Sequence, residues 1–258
     1  MNSGDFVVIS VGRISMESLG RILEAGLARL SALWLRLLKW ATVVFLIILL
    51  GLPLLRQLAP TLPDWRLFPL SYSGLVSQNF MFWAAGRTYG QRGVYDALLF
   101  TAQSVQQAYP GSYLAYLDVS HRKGGQIRGH LSHKHGRDVD LLLLGHHPNG
   151  SLVPTGVSYS DIGYSLKYNC KTLQNPSGHI LDGARNWSML MALRTNPHRR
   201  VERIFLEPCL KAWLLSVGKK SGAEQEALAW VEKVVGYAGK NSADHLDHIH
   251  IRFSQNPI

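Results

Sequence analysis

Six of the eleven histidines in this 258-residue chain fall in two short windows. The first runs Gly129-His130-Leu131-Ser132-His133-Lys134-His135-Gly136-Arg137-Asp138-Val139-Asp140, and the second His245-Leu246-Asp247-His248-Ile249-His250. Neutral imidazoles and carboxylates are favoured ligands of Zn2+, and a hydrolytic zinc centre combines a few protein ligands with an open position. The two windows together can supply such a set.

The elements around them say how the ligands would be brought together. His248 to Phe253 alternates polar and apolar and reads as a strand. Side chains two apart on a strand share a face, so His248, His250 and Arg252 lie on one side while Ile249, Ile251 and Phe253 enter the core. Asp138 to Leu144 reads as a second strand, ended by Gly145, with Asp138 and Asp140 on one face. Gly136 permits a tight turn that carries His133 back toward that strand. Two adjacent strands thereby converge His133, one of the two aspartates and one or two of the last histidines on a single ion. A lone His-x-His pair is a weak signal. The joint pattern, with glycine at the bend and a further histidine three residues before His133 and before His248, is harder to explain as scattered surface histidines.

The rest of the chain supplies a scaffold. Val94 to Ala108 has helical spacing and ends at Pro110-Gly111, Tyr113 to Val119 reads as a strand, and Lys123-Gly124-Gly125 marks a turn. Trp187 to Arg194, Leu210 to Val217 and Ala223 to Val235 are helical, and Val201 to Leu206 is a strand. The expected fold is α+β: a small central antiparallel sheet carrying the zinc site, flanked by helices and preceded by one N-terminal transmembrane helix.

That helix is read from Trp40 to Leu55, which holds no charge between Lys39 and Arg56. Such a run rises about 24 Å, and its flanking cations can snorkel to the interfaces. Ile22 to Leu38 before it has an apolar side. Arg13, Arg21, Arg29, Arg36 and Lys39 predict a cytoplasmic N-terminus with the remainder across the membrane. The residues Arg56-Gln57-Leu58-Ala59-Pro60 offer no small-x-small cleavage site, which favours an anchor over a cleaved signal. The expected division is a cytoplasmic segment at 1–39, a signal anchor at 40–56, a linker at 57–80 and the domain that carries the zinc site at 81–258, with Met16 an alternative start.

The net charge of +10 suits nucleic acid, an anionic membrane or a polyanionic substrate. The basic residues are spread out and accompany no nucleic-acid motif, so nucleic acid is disfavoured. Two cysteines, Cys170 and Cys209, form no CxxC pair and exclude a finger-type structural zinc. They could form a disulfide or remain two thiols. The oligomeric state has no signature.

The block Gly129, His130, Ser132, His133, Gly136, Asp138, Asp140 resembles the penicillin-insensitive murein endopeptidases, of the lysostaphin/D-Ala-D-Ala peptidase group of zinc enzymes. The terminal His245, His248, His250 matches the same family. Supporting similarity runs from about Arg87 to Arg252 and includes Gly124-Gly125 and Arg200-Val201-Glu202-Arg203-Ile204-Phe205 with Pro208. Carboxypeptidase and dipeptidase branches usually carry serine two residues before the first ligand histidine. Here that position is Leu131, and His130 stands three before.

The resemblance implies Zn2+ held by His133, Asp140 and His250, with His248 as the catalytic histidine. It makes His130 and His245 secondary active-site residues and leaves Asp138 to orient an imidazole. It implies hydrolysis of D-alanyl–diaminopimelyl cross-links of peptidoglycan by a metal-activated water. Taken with the uncleaved apolar segment, it implies a periplasmic catalytic domain on the bacterial inner membrane, or a cleaved periplasmic form as second choice. Members are commonly cleaved after export and carry more cysteines, and Gly145 to Lys167 is not readily matched. A zinc D-alanyl carboxypeptidase of the same fold and a silent wall-binding protein are the alternatives; the full ligand set argues against the latter. His135, His121, His146 and His147 are expected at the surface, with His179 and His198 isolated. Asp182 is expected to cap a helix and Trp187 to pack in the core. Phe80, Phe82 and Trp83 are expected to pack rather than bind.

Overall fold

A computed structural model describes residues 16–58, 62–152, 164, 166–239 and 244–256; Arg13, Ala59, Pro60 and part of the unmatched stretch from Gly145 to Lys167 lie outside them. The chain divides into two compact units between Leu55 and Arg56.

The first unit holds most of helix α1 (Met16–Leu58), a run of good helix formers. Its stretch Arg29–Ile48 spans 20 residues at mean hydropathy 1.7, with none of it buried. That length rises about 30 Å, the thickness of a bilayer's hydrocarbon core. A membrane span and a signal sequence both meet this description. The stretch starts upstream of the anchor expected at 40–56, so Arg29, Arg36 and Lys39 fall within it instead of before it.

The second unit begins its regular structure inside the segment read as a linker. Strands β1 (Trp65–Leu67), β2 (Ser71–Tyr72) and β3 (Leu75–Ser77) precede α2 (Phe80–Ala84), β4 (Tyr89–Gln91), α3 (Arg92–Ala108) and β5 (Leu114–Tyr116). Then come β6 (Asp138–Leu142), β7 (Gly145–His146), β8 (Ile180–Leu181) and α4 (Gly183–Thr195). The chain continues through β9 (Val201–Phe205), α5 (Pro208–Lys220), α6 (Gln225–Val234), β10 (Val235–Gly236) and β11 (His248–Phe253).

The fold is mixed α/β, and the small antiparallel sheet expected from the sequence is replaced by a larger one. Among the described residues the main sheet has seven strands in the order β10-β9-β11-β6-β5-β3-β2. Its centre is antiparallel, but β3 pairs parallel to β5 and β10 parallel to β9. Parallel neighbours need a crossover. Helix α3 lies within the first crossover, and α5 with α6 form the second. The extra strands are two or three residues long, too short for a period-two pattern.

One sheet face and the helices bury a common core. Ile249, Ile251 and Phe253 of β11 and Val139 and Leu141 of β6 join Val94 and Leu98 of α3, Leu190 and Leu193 of α4, and Leu210 and Leu214 of α5. Asp182 caps α4 by accepting from the Arg185 amide at 2.9 Å. The Asn186 side chain bonds both the amide and the carbonyl of Leu144, fixing α4 to the end of the β6 segment. Trp187 packs on Gly218, where a Cβ would lie 2.4 Å from the indole. A disulfide joins Cys170 to Cys209, tying the segment before β8 to the start of α5.

Candidate metal centre

The opposite face of the sheet is polar. In the β11–β6 ladder His250 stands opposite Asp140, Arg252 opposite Asp138 and His248 opposite Leu142. Directly opposed residues share a face, so two strands deliver two carboxylates, two imidazoles and a guanidinium as one patch. All but Arg252 are buried.

His133 reaches this patch from the loop before β6. It holds φ at 62°, the left-handed region that an L residue adopts only where its surroundings hold it there. The loop is tied down on both sides. Gly136 turns at φ 65°, and its carbonyl accepts from Gln91 at 2.9 Å. The Gly125 amide donates to Lys134 at 3.0 Å, and the Trp65 indole lies against Gly136. The His133 ring is fully buried, and its Nδ1 lies 3.1 Å from the Val119 carbonyl. A carbonyl only accepts, so Nδ1 carries a proton, and in the neutral ring Nε2 presents its lone pair. That Nε2 lies 3.2 Å from Asp140 Oδ2, off the line of a hydrogen bond, and has no hydrogen-bond partner among the described residues.

The remaining contacts converge on Asp140. Its Oδ1 is 2.8 Å from His250 Nδ1 and 3.9 Å from His248 Nε2. His250 turns its other nitrogen to Asp138 Oδ1 at 3.2 Å, and the same oxygen accepts from Arg252 Nε at 2.6 Å. His248 Nδ1 meets Asp247 Oδ1 at 2.5 Å, leaving Nε2 toward the centre. The His245 ring lies 4.9 Å from that of His248 and 6.1 Å from that of His250. His130 stacks edge-on to His133 at 4.9 Å. All seven residues singled out in the sequence therefore lie in one cluster.

This donor set fits a small divalent cation. His130, His133 and Asp140 each offer a ligand atom within 4.8 Å of the others. Ligands around a tetrahedral zinc lie about 3.3 Å apart. The His133–Asp140 and His250–Asp140 separations, 3.2 and 2.8 Å, are close to that spacing. A lone pair facing a carboxylate is repulsive unless a positive charge lies between them. Electrostatics agree. Burial works to raise Asp140, but the attraction it would feel from His133 and His250 in their protonated forms outweighs this and holds the carboxyl well below its ordinary range. Burial likewise opposes ionisation of Asp138, yet His250 and Arg252 hold it at about 2. Burial works to lower His250, and the two aspartates push it up to about 9. For His245, burial and the charges of His248 and His250 outweigh the pull of Asp140 and Asp244 and push it down to about 4. The centre thus concentrates ionised carboxylate and draws positive charge.

Four further residues belong to the site and were not singled out. Asp118 is fully buried, and its Oδ2 takes Arg87 at 2.6 Å, the Tyr164 hydroxyl at 2.9 Å and His130 Nε2 at 3.2 Å. Tyr164 also lies 2.6 Å from Asp140 Oδ2, and the two carboxylates raise its phenol well above normal once burial has done so. Arg87 stacks on Phe82 at 4.0 Å, so this aromatic backs the site rather than only packing. Asp247 orients His248. A carboxylate inside the apolar run Leu114 to Val119 was the available signal for Asp118, since a buried charge needs partners. Tyr164 and Arg87 gave no comparable signal. His135 and His198 are exposed, and His121 is half-buried. His179 is not isolated but stacks edge-on to His147 at 4.8 Å, and His147 is half-buried.

The cluster forms one wall of an open cleft of about 790 Å3, which Leu131, Lys167, Phe205 and Arg252 also line. Leu131 is 81% exposed at its mouth. A family model described as penicillin-insensitive murein endopeptidase matches residues 76–257. No curated protein matches the chain.

Proposed function

This chain belongs to the penicillin-insensitive murein endopeptidase family, and from that premise we propose that it is a zinc peptidase hydrolysing D-alanyl–diaminopimelyl cross-links of peptidoglycan. The observation that carries the metal reading is the buried, unpaired Nε2 of His133 aimed at Asp140. His133, Asp140 and His250 are the proposed ligands. Zinc held there supplies Lewis acidity toward a carbonyl oxygen and toward water.

The chain's own groups divide the remaining work. His248 accepts the proton of the attacking water at Nε2, and Asp247 holds Nδ1–H and stabilises the imidazolium. The same nitrogen returns the proton to the leaving amine. Asp138 fixes the His250 ring so that Nδ1 faces the centre. Asp118 holds His130 at the cleft wall, and Tyr164 links the Asp118 and Asp140 carboxylates. The positive net charge suits a carboxylate-rich wall polymer. Export is supported by the apolar N-terminal helix and by a disulfide, a bond favoured outside the reducing cytoplasm. We read the helix as an inner-membrane anchor that leaves the peptidase in the periplasm.

Zinc content of the detergent-purified full chain tests the ligand assignment. His133→Ala is expected to lose zinc and activity together, whereas His248→Ala keeps zinc and loses activity. Full zinc occupancy in His133→Ala contradicts the assignment.

A further inference from the structure

We infer that Arg252 forms a carboxylate-binding subsite beside the metal ligands and reads the free carboxylate next to the scissile nitrogen. This rests on the cross-link chemistry proposed above. In a D-alanyl–diaminopimelyl bond the carbon bearing the scissile nitrogen also bears a carboxylate. Covalent geometry holds that carboxylate carbon about 3–4 Å from the carbonyl carbon under attack. An enzyme that places this carbonyl at the metal centre must place an anion close by, and a desolvated anion needs a cation.

Few cations can meet it. Lys167 lines the cleft but is paired with Asp244 at 2.8 Å. Arg87 lies behind the wall, bound to buried Asp118. Arg252 shares the strand face of His248 and His250, two residues beyond His250, a spacing of roughly 7 Å. It lines the cleft and is 30% exposed. Its Nε donates to Asp138 Oδ1 at 2.6 Å, which fixes the plane of the guanidinium. Its two outer nitrogens have no protein partner among the described residues. A planar guanidinium already oriented and with both outer nitrogens available matches the two oxygens of a carboxylate. Arg203 stands opposite Arg252 in the β9–β11 ladder but is not among the residues lining the cleft, so it serves as the control.

The test compares two cross-linked muropeptide dimers, one with this carboxylate free and one with it amidated, on the detergent-purified, zinc-loaded full chain. Wild-type protein should cleave the free dimer about 10- to 100-fold better in kcat/KM, the range for one charge-assisted contact. Arg252→Gln should lose that preference with zinc content unchanged, Arg252→Lys should keep part of it, and Arg203→Gln should keep all of it. Equal cleavage of the two dimers by wild-type protein overturns the subsite whatever the variants do. So does an undiminished preference in Arg252→Gln. Failure of zinc-loaded wild type to cleave either dimer overturns the proposed reaction and the subsite with it.

Discussion

Replacing Gly136 by alanine should destabilise the domain and loosen the metal centre together. Gly136 turns at φ 65°, and a Cβ built there lies 2.7, 2.9 and 3.0 Å from three carbons of the Trp65 indole. The left-handed conformation costs an alanine about 1–2 kcal/mol. Pressing a methyl into a rigid ring adds roughly 1–3 kcal/mol. Together these make about 2–5 kcal/mol, which for a domain of this size lowers Tm by roughly 5–15 °C. The loop must shift to relieve the clash, and His133 sits three residues upstream in a conformation that only its surroundings hold. Zinc affinity should therefore fall about tenfold or more. Thermal unfolding and chelator competition on the full chain read the two effects. Gly150→Ala is the control, since Gly150 turns at φ 83° with nothing within 4 Å and should lose only the conformational part. In the Trp65→Ala background Gly136→Ala should be milder, because the steric part is gone. A Gly136→Ala protein with wild-type Tm and zinc affinity would refute the claim that Trp65 and this turn brace the ligand loop.

Other expectations follow from the contacts. Asp247→Asn should leave zinc bound and lower kcat about 10- to 100-fold, because His248 loses the partner that orients it; unchanged kcat removes Asp247 from the mechanism. Asp118→Asn should act in the same direction through His130 and Tyr164, measured as kcat at saturating zinc. Replacing both Cys170 and Cys209 by alanine should lower stability by up to about 4 kcal/mol, from the loop that the bond closes. Zinc content in that variant should not change, and a lost metal centre would show that the bond supports the site as well as the fold.

The elements that carry the ligands were legible because their patterns are local. The alternation of His248 to Phe253 assigned a face to each side chain, and the observed ladder puts Ile249 and Ile251 in the core with His248 and His250 opposite. Helices α3, α4, α5 and α6 were legible from their apolar spacing, and Asp182 from its place before α4. The size and mixed sense of the sheet were not legible. They depend on β3 and β10, short strands whose pairing is decided by distant partners. Asp118 and Tyr164 meet Asp140 only because neighbouring strands and a remote loop converge. No spacing in the chain encodes that meeting. The Cys170–Cys209 bond was equally open, since a separation of 39 residues says nothing of distance in space.

The most direct test of the account is the product of the reaction and its dependence on metal. Purified full chain would be incubated with cross-linked muropeptide dimers, with chelator and after zinc is restored, and the products identified by mass. The account predicts conversion of dimers to monomers, abolished by chelator and recovered with Zn2+. Release of a single D-alanine with the cross-link intact, or cleavage that persists without metal, would contradict it.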